Sequence, residues 1–461
     1  MEEKNILMLA NNYARIHDLV RLAKGISTRG PKFNFIFVLP LILFNYKEYI
    51  ENENFQVILL DKDLSENKVQ RVSIKNKIIS YGFLFKMLTS IRDTSLGEIA
   101  SYLRYKIIFK RIYERSKEIL NVLSPISIFT TGDRESIRGT AFLKAAKDKK
   151  IAIIIPYLTV SGADAPAFLR RERKIYRLSF LSPIITKYVF NKFTDQVYNS
   201  KWGDMIFYRP SEILTLNRFN ALSENPWFMG LGLSDIVIVD NKYTYQNYRK
   251  FGIPENKLRI YGDLSFDDLY NSYLNKDKIK QNIINEYLLD PEKKIVIIAL
   301  PQFAEHNIMS WDLHWKEINF ILSEVSKVFN NILISLHPKM EREEYMFLEN
   351  KYSCKILQER LYRVLPIADM FISVNSSTIG WAVLCGIKTA TFEFYDLPIV
   401  FEGLSSIKRI YEKDEIEHKI KEYLEQEVDF SADWNILSKN EVFDGKVIDR
   451  NFKLLKNLCL G

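Results

Sequence analysis

The sequence predicts an α/β protein built from two successive domains that each contain a parallel β-sheet. In both halves of the chain, short apolar segments rich in β-branched residues alternate with longer segments of helical periodicity, a pattern that is typical of βαβ units. A charged helical stretch at residues 267–289, which ends at Asp290-Pro291, interrupts this alternation before it starts again. In the second half, polar turns directly follow two of the apolar segments.

The first half contains seven predicted strands and a helix between most of them. Gly25 and Gly30 mark the end of the first helix, and Gly252 marks the end of the last one, because glycine commonly follows a helix C-terminus. The predicted strands are 5–10, 33–39, 55–60, 126–130, 151–156, 235–239 and 258–261, and the predicted helices are 15–24, 77–123, 136–149 and 245–251.

The second half repeats the pattern and ends in helices. The restart suggests a first domain at residues 1–265, a linker at 266–292, a second domain at 293–440 and a C-terminal helix at 441–461 that packs back on the first domain. A cleft between two such domains is the expected ligand site. The predicted strands are 294–300, 332–336, 355–357, 370–374 and 389–394, and the predicted helices are 315–329, 342–352, 415–424 and 447–458.

Composition places the chain among globular proteins with substantial cores. It has 461 residues, of which 47% are hydrophobic and 26% charged, so two or three domains are expected. The formal net charge of +8 favours anionic partners. The sequence contains neither a zinc-finger nor an RNA-recognition signature, which argues against nucleic acid as the partner.

Cysteine usage and the N-terminal sequence predict a cytoplasmic protein. Cys354, Cys385 and Cys459 show no CxxC spacing, which indicates a reducing compartment. The first residues, MEEKNILMLA, lack the basic and apolar regions of a signal peptide. The longest apolar stretch, 35–44, contains Pro40 and is too short to span a bilayer. The five histidines form no HExxH pair, so the sequence predicts no metal site.

Two polar turns in the second half predict a phosphate site. Asn375-Ser376-Ser377-Thr378 follows the strand 370–374 and precedes a helix-length segment, where hydroxyl and backbone N–H groups can hold an anion. His337-Pro338-Lys339 follows the strand 332–336 and offers an imidazole and an ammonium group. Because ligands bind at the carboxyl ends of strands in open α/β sheets, both turns are expected to line one site. The alternatives are an ordinary helix N-cap and a structural histidine.

Three segments carry a resemblance to known enzymes. Residues 238–270, IVDNKYTYQNYRKFGIPENKLRIYGDLSFDDLY, resemble the segment that leads out of the N-terminal domain in UDP-N-acetylglucosamine 2-epimerases and related transferases. His337-Pro338 and Ser376-Ser377 resemble the HP and serine motifs of bacterial sialyltransferases and polysialyltransferases, which use CMP-activated acidic sugars. Enzymes that transfer glycerol phosphate from CDP-glycerol show a looser version of this pattern. Residues 130–146, TTGDRESIRGTAFLKAA, are similar to the strand-end Gly-Asp turn of the 2-epimerase superfamily.

The resemblance implies a GT-B glycosyltransferase with two Rossmann-like domains facing across a cleft. The first domain would bind the acceptor and the second the nucleotide sugar. The implied reaction is metal-independent transfer of a sialic acid, another nonulosonic acid or Kdo from a CMP-activated donor to a surface glycan, such as a capsule or lipopolysaccharide, or to a lipid-linked acceptor. No separate cofactor is implied. The alternatives are a UDP-sugar 2-epimerase, a CDP-glycerol glycerophosphotransferase and a non-catalytic sugar-nucleotide-binding protein.

The implied roles follow from this chemistry. His337, with Pro338, Lys339, Ser376, Ser377 and Thr378, would bind and stabilise the departing phosphate. No acidic-acidic-Gly motif is present, so the base is sought among other groups, with Asp133 first, Asp164 second and His17 third. An N-cap or a turn residue is the alternative for the two aspartates. The residues expected to contact other parts of the donor are Gln302, Glu305 and, more weakly, His306 for the sugar or phosphate, Tyr362 to Pro366 for the base and Glu393 for the ribose.

A basic and aromatic segment at residues 168–210 suggests a further contact. It contains nine Lys or Arg residues among aromatic side chains, and a basic amphipathic stretch can lie on an anionic membrane surface. The protein would then be peripheral on the inner face of the cell membrane. The alternative is that the aromatic side chains face the core.

Overall fold

A computed structural model describes residues 3–11, 13–30, 33–61, 93–134, 136–157, 162–180 and 182–460. The predicted helical residues 77–92 lie outside these ranges. The chain divides into two compact units. The first comprises Met1–Val239, Tyr245–Arg259 and Ile448–Gly461, and the second comprises Asp240–Thr244 and Ile260–Val447.

The first unit is built on a mainly parallel seven-stranded sheet. Its strands are β1 (Lys4–Leu9), β2 (Phe33–Leu39), β3 (Gln56–Leu59), β4 (Ser127–Thr130), β5 (Ala152–Ile155), β8 (Ile236–Val239) and β9 (Leu258–Ile260). Their order is β3-β2-β1-β4-β5-β8-β9. A separate antiparallel hairpin, β6 (Val197–Ser200) and β7 (Gly203–Ile206), was not predicted. The order of the first six strands in the large sheet is that of a Rossmann-like domain.

Helices cover the apolar sheet of the first unit. The β1 residues Leu7 and Leu9 and the β2 residue Ile36 are buried against helical side chains such as Phe142. Both faces of the sheet are apolar because a parallel sheet carries helices on both sides. The helices grouped mainly with this unit are Ile16–Ser27, Lys47–Asn52, Ser95–Leu123, Ile137–Asp148, Asp164–Arg170, Ile184–Lys192, Pro210–Arg218, Lys242–Lys250 and Val447–Leu460.

The second unit contains a parallel six-stranded sheet with the same winding. Its strands are β10 (Ile295–Ala299), β11 (Asn331–Ser335), β12 (Cys354–Ile356), β13 (Met370–Ser373), β14 (Lys388–Phe392) and β15 (Ile407–Ile410), of which β15 was not predicted. Their order is β12-β11-β10-β13-β14-β15. The chain therefore winds in one direction from β10 to β12 and in the other from β13 to β15. The direction reverses between β10 and β13, where Rossmann-like sheets bind ligands.

The residues predicted as a linker are helical and lie in the second unit. Ser265–Leu274 and Lys276–Tyr287 form two successive helices there. The remaining helices of the unit are Trp311–Ser326, Arg342–Tyr345, Phe347–Tyr352, Leu361–Val364, Ile379–Leu384, Ile416–Glu425, Ser431–Ile436 and Lys439–Val442. None of the helices in the described ranges combines the length and the apolar character needed to cross a membrane.

A buried ion pair joins two helices of the first unit. The residues Glu98 and Arg209 are 0% and 2% exposed. Arg209 Nε donates to Glu98 Oε1 at 2.9 Å, and the Ser211 N–H donates to Oε2 at 2.8 Å. Asp93 accepts a further hydrogen bond from the guanidinium at 2.8 Å. Burial alone would lower the pKa of Arg209, but the neighbouring Glu98 carboxylate contributes to raising it overall.

We expect Glu98→Ala to lower the free energy of unfolding of the first unit by about 3–5 kcal/mol, because it leaves a buried guanidinium without its main counter-charge. Urea denaturation followed through Trp227, which is buried in this unit, measures the change. Lys117→Ala is the control, since it breaks an exposed pair with Glu114 that contributes little. A loss no larger than that of the control would contradict the assignment.

Candidate functional site

Three loops of the second unit leave the same edge of its sheet. β10 pairs in parallel with β11 on one side and with β13 on the other. The loops that follow these three strands are 300–310, 336–341 and 374–378. The carboxyl ends of the three strands, and therefore the three loops, share one edge. Because this edge includes the point where the strand order reverses, it is the candidate nucleotide-binding site.

The turn after β11 presents cationic groups and hydrogen-bond donors. The Met340 N–H donates to the His337 carbonyl at 2.8 Å and closes the turn. The Lys339 N–H donates to His337 Nδ1 at 3.2 Å. In a neutral imidazole the ring proton is then on Nε2, which makes Nε2 a donor. His337 is half-buried, and Pro338 and Lys339 are exposed.

The loop after β10 places Glu305 and His306 beside this turn. The ring centroids of His306 and His337 are 5.8 Å apart, with the ring planes at 85°. Burial, and then the charge of Lys339, lowers the pKa of His306, whereas Glu305 opposes this effect. His306 Nε2 and Glu305 Oε2 are buried atoms for which the structure shows no hydrogen-bond partner. Such atoms cost free energy unless a ligand or water contacts them.

A buried hydrogen-bonded chain holds the Glu305 carboxylate in place. Tyr345 donates its hydroxyl hydrogen to Glu305 Oε1, and its oxygen lies 2.8 Å from His314 Nε2. The hydroxyl has only one hydrogen, so His314 Nε2–H is the donor in the second bond. Burial raises the pKa of Tyr345, as does its hydrogen bond to Glu305, and burial lowers the pKa of His314. These hydrogen bonds therefore fix Glu305 Oε1 and leave Glu305 Oε2 available.

The turn after β13 is partly occupied by its own hydrogen bonds. The Thr378 N–H donates to Ser376 Oγ at 3.2 Å, and the two hydroxyl oxygens lie 2.7 Å apart. The following helix, Ile379–Leu384, has only six residues. The local bonds agree with the capping alternative, and so short a helix adds little dipole. The hydroxyls of Ser376, Ser377 and Thr378 are the groups in this turn that a ligand would use.

Glu393 is engaged in the structure of the second unit. It accepts a hydrogen bond from Arg409 Nη1 at 2.7 Å and another from Thr391 Oγ1 at 2.7 Å. Its side chain is only 6% exposed. Arg409 also donates to the carbonyls of Val400 and Phe401. The pair therefore fixes the loop before β15, which argues against the predicted contact of Glu393 with a ribose.

Asp133 is likewise engaged, in the first unit. It is buried and accepts hydrogen bonds from the N–H groups of Gly230 at 3.0 Å and Gly232 at 2.9 Å. The hydroxyl of Ser234 donates to the same carboxylate at 2.7 Å. A Cβ at Gly232 would lie 2.5 Å from the Asp133 carbonyl oxygen, so only glycine permits this approach. Asp133 clamps the 230–234 loop, and its burial among these donors argues against the predicted role as base.

Asp164 is an accessible carboxylate of the first unit. It is the first residue of the helix Asp164–Arg170 and is exposed. Tyr198 donates its hydroxyl to Asp164 at 2.7 Å. Burial, and then this hydrogen bond, raises the pKa of Tyr198 to about 12. His17 is also exposed and packs against Tyr49 at a ring distance of 4.6 Å. The roles of Asp164, His17, Gln302 and Tyr362 stay predictions.

Part of the basic and aromatic segment 168–210 faces the interior. Phe190 is buried in the core of the first unit. Arg170 donates to the carbonyls of Phe207 at 2.7 Å and Pro166 at 2.9 Å. Phe180 and Tyr188 are exposed. The segment therefore combines core residues with a smaller exposed portion.

Cysteine and metal-ligand groups add no further site. Cys354 and Cys385 are buried free thiols, and Cys459 is an exposed one. Burial raises the pKa of Cys354 to about 12. Over the ranges that the structure describes, no three His, Cys, Asp or Glu side chains are grouped as a metal site requires.

Comparison with known proteins identifies the fold. No family model matches the sequence, and no curated protein matches it significantly. UDP-GlcNAc 2-epimerase from Neisseria meningitidis, solved with UDP-GlcNAc, has a TM-score of 0.50 at 12% identity, over 99% of each chain. A glycosyltransferase from Rickettsia africae has a TM-score of 0.50 at 11% identity, over 100% of this chain and 99% of that one. The chain has the GT-B fold.

A third solved structure agrees with this fold. UDP-GlcNAc 2-epimerase from Methanocaldococcus jannaschii has a TM-score of 0.50 at 11% identity and covers 98% of this chain and 99% of its own. The predicted α/β class with two Rossmann-like domains is thus confirmed. At such low identity the shared GT-B fold hosts more than one activity, so the function must be argued from the side chains.

The lowered pKa values of His306 and His314 predict a second unit that is sensitive to acid. In the unfolded chain both rings regain the ordinary pKa of about 6.5. As the pH falls below this value, the unfolded chain binds protons that the folded chain does not, so the free energy of unfolding decreases. We expect this decrease between about pH 7.5 and 5.5 in urea denaturation.

The variant His314→Gln should reduce this dependence on pH, whatever its effect on stability at neutral pH. His418→Gln is the control because His418 is exposed, and it should keep the wild-type dependence. A His314→Gln protein with the full wild-type dependence would show that the buried ring is not responsible.

Proposed function

We propose that the protein is a GT-B glycosyltransferase that moves an acidic sugar, such as a sialic acid, another nonulosonic acid or Kdo, from a CMP-activated donor to a surface glycan or a lipid-linked acceptor. The observation that carries the proposal is the edge formed by β10, β11 and β13. There, His337, Lys339 and the hydroxyls of 376–378 lie on loops around the point where the strand order reverses. The fold shared with a glycosyltransferase and with an epimerase solved with UDP-GlcNAc supports a nucleotide-sugar ligand.

The cationic turn suits the leaving group of such a donor. When the bond from the anomeric carbon to the phosphate oxygen breaks, negative charge grows on the phosphate of CMP. The Nε2–H of His337 and the ammonium of Lys339 would stabilise this charge, and donors positioned in advance are commonly the largest contribution to catalysis. The hydroxyls of Ser376 and Thr378 would contact the remaining phosphate oxygens. Since these groups supply the positive charge, we propose that transfer needs no metal.

Glu305 would orient the donor rather than take part in proton transfer. Tyr345 and His314 hold its Oε1 side, and Oε2 would accept a hydrogen bond from a hydroxyl of the sugar or the ribose. His306 Nε2 lies in the same loop and would contact a second polar group. Both buried atoms would then gain the partner that they lack in the structure.

Asp164 is the proposed base. The acceptor hydroxyl would lose its proton to this carboxylate as its oxygen forms the bond to the anomeric carbon, and CMP would leave. An exposed carboxylate that accepts one hydrogen bond from Tyr198 has acceptor capacity left for this proton. Asp133 is less suited, since it is buried and its oxygens accept hydrogen bonds from three residues of the 230–234 loop.

A UDP-sugar 2-epimerase is the second candidate. The structural matches to two such epimerases favour it. Against it, the aspartate that would perform proton chemistry on the sugar is Asp133, which is buried and holds the 230–234 loop. Glycerol-phosphate transfer from CDP-glycerol would differ from the first two candidates in a preference for CDP. A protein that binds sugar nucleotides without catalysis would show no turnover.

We expect CMP to raise the melting temperature of the protein more than UDP or CDP does at equal concentration, because a ligand stabilises the state that binds it. Lys339→Ala should weaken CMP binding by roughly tenfold or more, as expected when a hydrogen bond to a charged group is lost. Lys327→Ala is the control, since Lys327 is exposed and lies before β11, away from its carboxyl end. Titration calorimetry measures both affinities.

The nucleotide that binds decides between the candidates. A shift with UDP but not CMP would favour the epimerase, and a preference for CDP would favour glycerol-phosphate transfer. Absence of binding by all three nucleotides would contradict the proposed site.

Asp164→Asn should lower kcat about 10²–10⁴-fold, the usual contribution of a general base, with unchanged melting temperature and CMP affinity. Asp133→Asn should instead lower the melting temperature, because an amide N–H₂ would face the loop N–H groups that now donate to a carboxylate. Asp204→Asn is the control for Asp164, as Asp204 accepts one exposed hydrogen bond from Asn199. If Asp133→Asn keeps wild-type stability and loses turnover, the two aspartates have been assigned in the wrong order.

A further inference from the structure

The helix Ser95–Leu123 exposes an apolar stripe on the first unit. Leu96, Ile99, Leu103 and Ile107 are 78%, 48%, 54% and 54% exposed. Their spacing of three or four residues places them on one helix face. Phe109, Ile112 and Leu120 of the same helix are buried in the core, so the stripe is not needed to hold the helix in the fold. Exposed apolar patches of this kind mark interaction surfaces.

The stripe continues onto a neighbouring segment. The Ile184 N–H donates to Ser95 Oγ at 3.1 Å, which joins the N-terminal ends of the two helices. Ile184 is 81% exposed and therefore extends the patch next to Leu96. Phe180 is 91% exposed, and Lys187 donates to its carbonyl at 2.8 Å. We call Leu96, Ile99, Leu103, Ile107, Phe180 and Ile184 the docking face.

The charges around the docking face are mainly positive. The acidic residues that flank it along the chain, Asp93 and Glu114, are paired with Arg209 and Lys117. Residues 95–113 contain Arg104, Lys106, Lys110 and Arg111, and their one acidic residue is Glu98. Glu98 is buried and neutralised by Arg209. Residues 173–193 contain three lysines and two arginines and no acidic residue. Apolar side chains with cations at their margins complement a bilayer surface that contains anionic lipids.

We propose that the docking face binds the protein to the surface of an anionic membrane. The apolar side chains would enter the boundary between head groups and acyl chains, and the lysines and arginines would contact lipid phosphates. The surface differs from the predicted one at 168–210, because most of it lies on the helix Ser95–Leu123 and because Phe190 and Arg170 face the interior. The proposal does not depend on the reaction proposed above.

Co-sedimentation of the full chain with vesicles tests this surface. Binding is expected to phosphatidylcholine vesicles that contain phosphatidylglycerol, and much less to phosphatidylcholine alone. The double variant Leu103→Ser/Ile107→Ser should bind at least about tenfold more weakly, because two apolar side chains no longer enter the bilayer. Val122→Ser is the matched control, since Val122 is 83% exposed on the same helix but lies outside the docking face, and it should bind as the wild type does.

The electrostatic part has its own test. Lys106→Gln/Lys110→Gln should weaken binding to the anionic vesicles by roughly tenfold or more, given the usual contribution of each basic residue near such a surface. Higher salt should weaken binding of the wild type, because it screens exposed charges. Binding that is equal with and without anionic lipid would overturn the electrostatic part.

Two further outcomes would overturn the proposal. In the first, the wild-type protein does not sediment with anionic vesicles, or the Leu103→Ser/Ile107→Ser variant binds them as well as Val122→Ser does. In the second, the Leu103→Ser/Ile107→Ser variant has a lower melting temperature or a changed elution volume in size-exclusion chromatography, whereas its vesicle binding is unchanged. The stripe would then be covered by this chain or by a second copy rather than by lipid.

Discussion

The parallel pairing of β10 with both β11 and β13 is the constraint on which the candidate site depends. Ile295–Ile298 of β10 are buried on both faces, so the strand can only occupy the middle of a sheet that helices cover. Its neighbour β11 leads to β12 on one side of the sheet, and its neighbour β13 leads to β14 and β15 on the other side. The loops that follow the three strands must therefore meet at one edge, although their residues are up to 78 positions apart in the chain, from 300 to 378. The sheet therefore sets where the loops lie, and the side chains of the loops determine which ligand binds and which reaction follows.

Carboxylates illustrate how the fold separates structural groups from reactive ones. Glu98, Asp133 and Glu393 each use both oxygens, or a close ion pair, to hold a helix or a loop. Glu305 and Asp164 differ because each carboxylate accepts a single hydrogen bond, from Tyr345 and Tyr198 respectively. Residue type alone cannot make this distinction. The distinction depends on which hydrogen-bond donors surround each carboxylate, and these donors come from distant parts of the chain.

The sequence was a good guide wherever local chemistry decides structure. Strands such as β1 and β11 were predicted within a residue or two, because each is a short apolar run bounded by polar residues. The hairpin of β6 and β7 was missed because its residues, VYNS and GDMI, show little apolar alternation. The turn at His337 was placed correctly at a strand end. The structural partners of Asp133 and Glu393, Gly230 and Arg409, could not be predicted, because they come from other segments of the chain.

The chain from His314 through Tyr345 to Glu305 shows why a site needs more than the residues that touch a ligand. His314 lies on the helix Trp311–Ser326 and Tyr345 on the helix Arg342–Tyr345, and both are fully buried. Each would cost free energy in an apolar core if it were unpaired. Their hydrogen bonds hold one oxygen of Glu305 against the rigid core. The other oxygen is thereby held in a fixed direction before any ligand arrives, which reduces the entropy lost on binding. No sequence motif marks such a chain, because its members are separated by 9 and 31 positions and their side chains meet only in the folded unit.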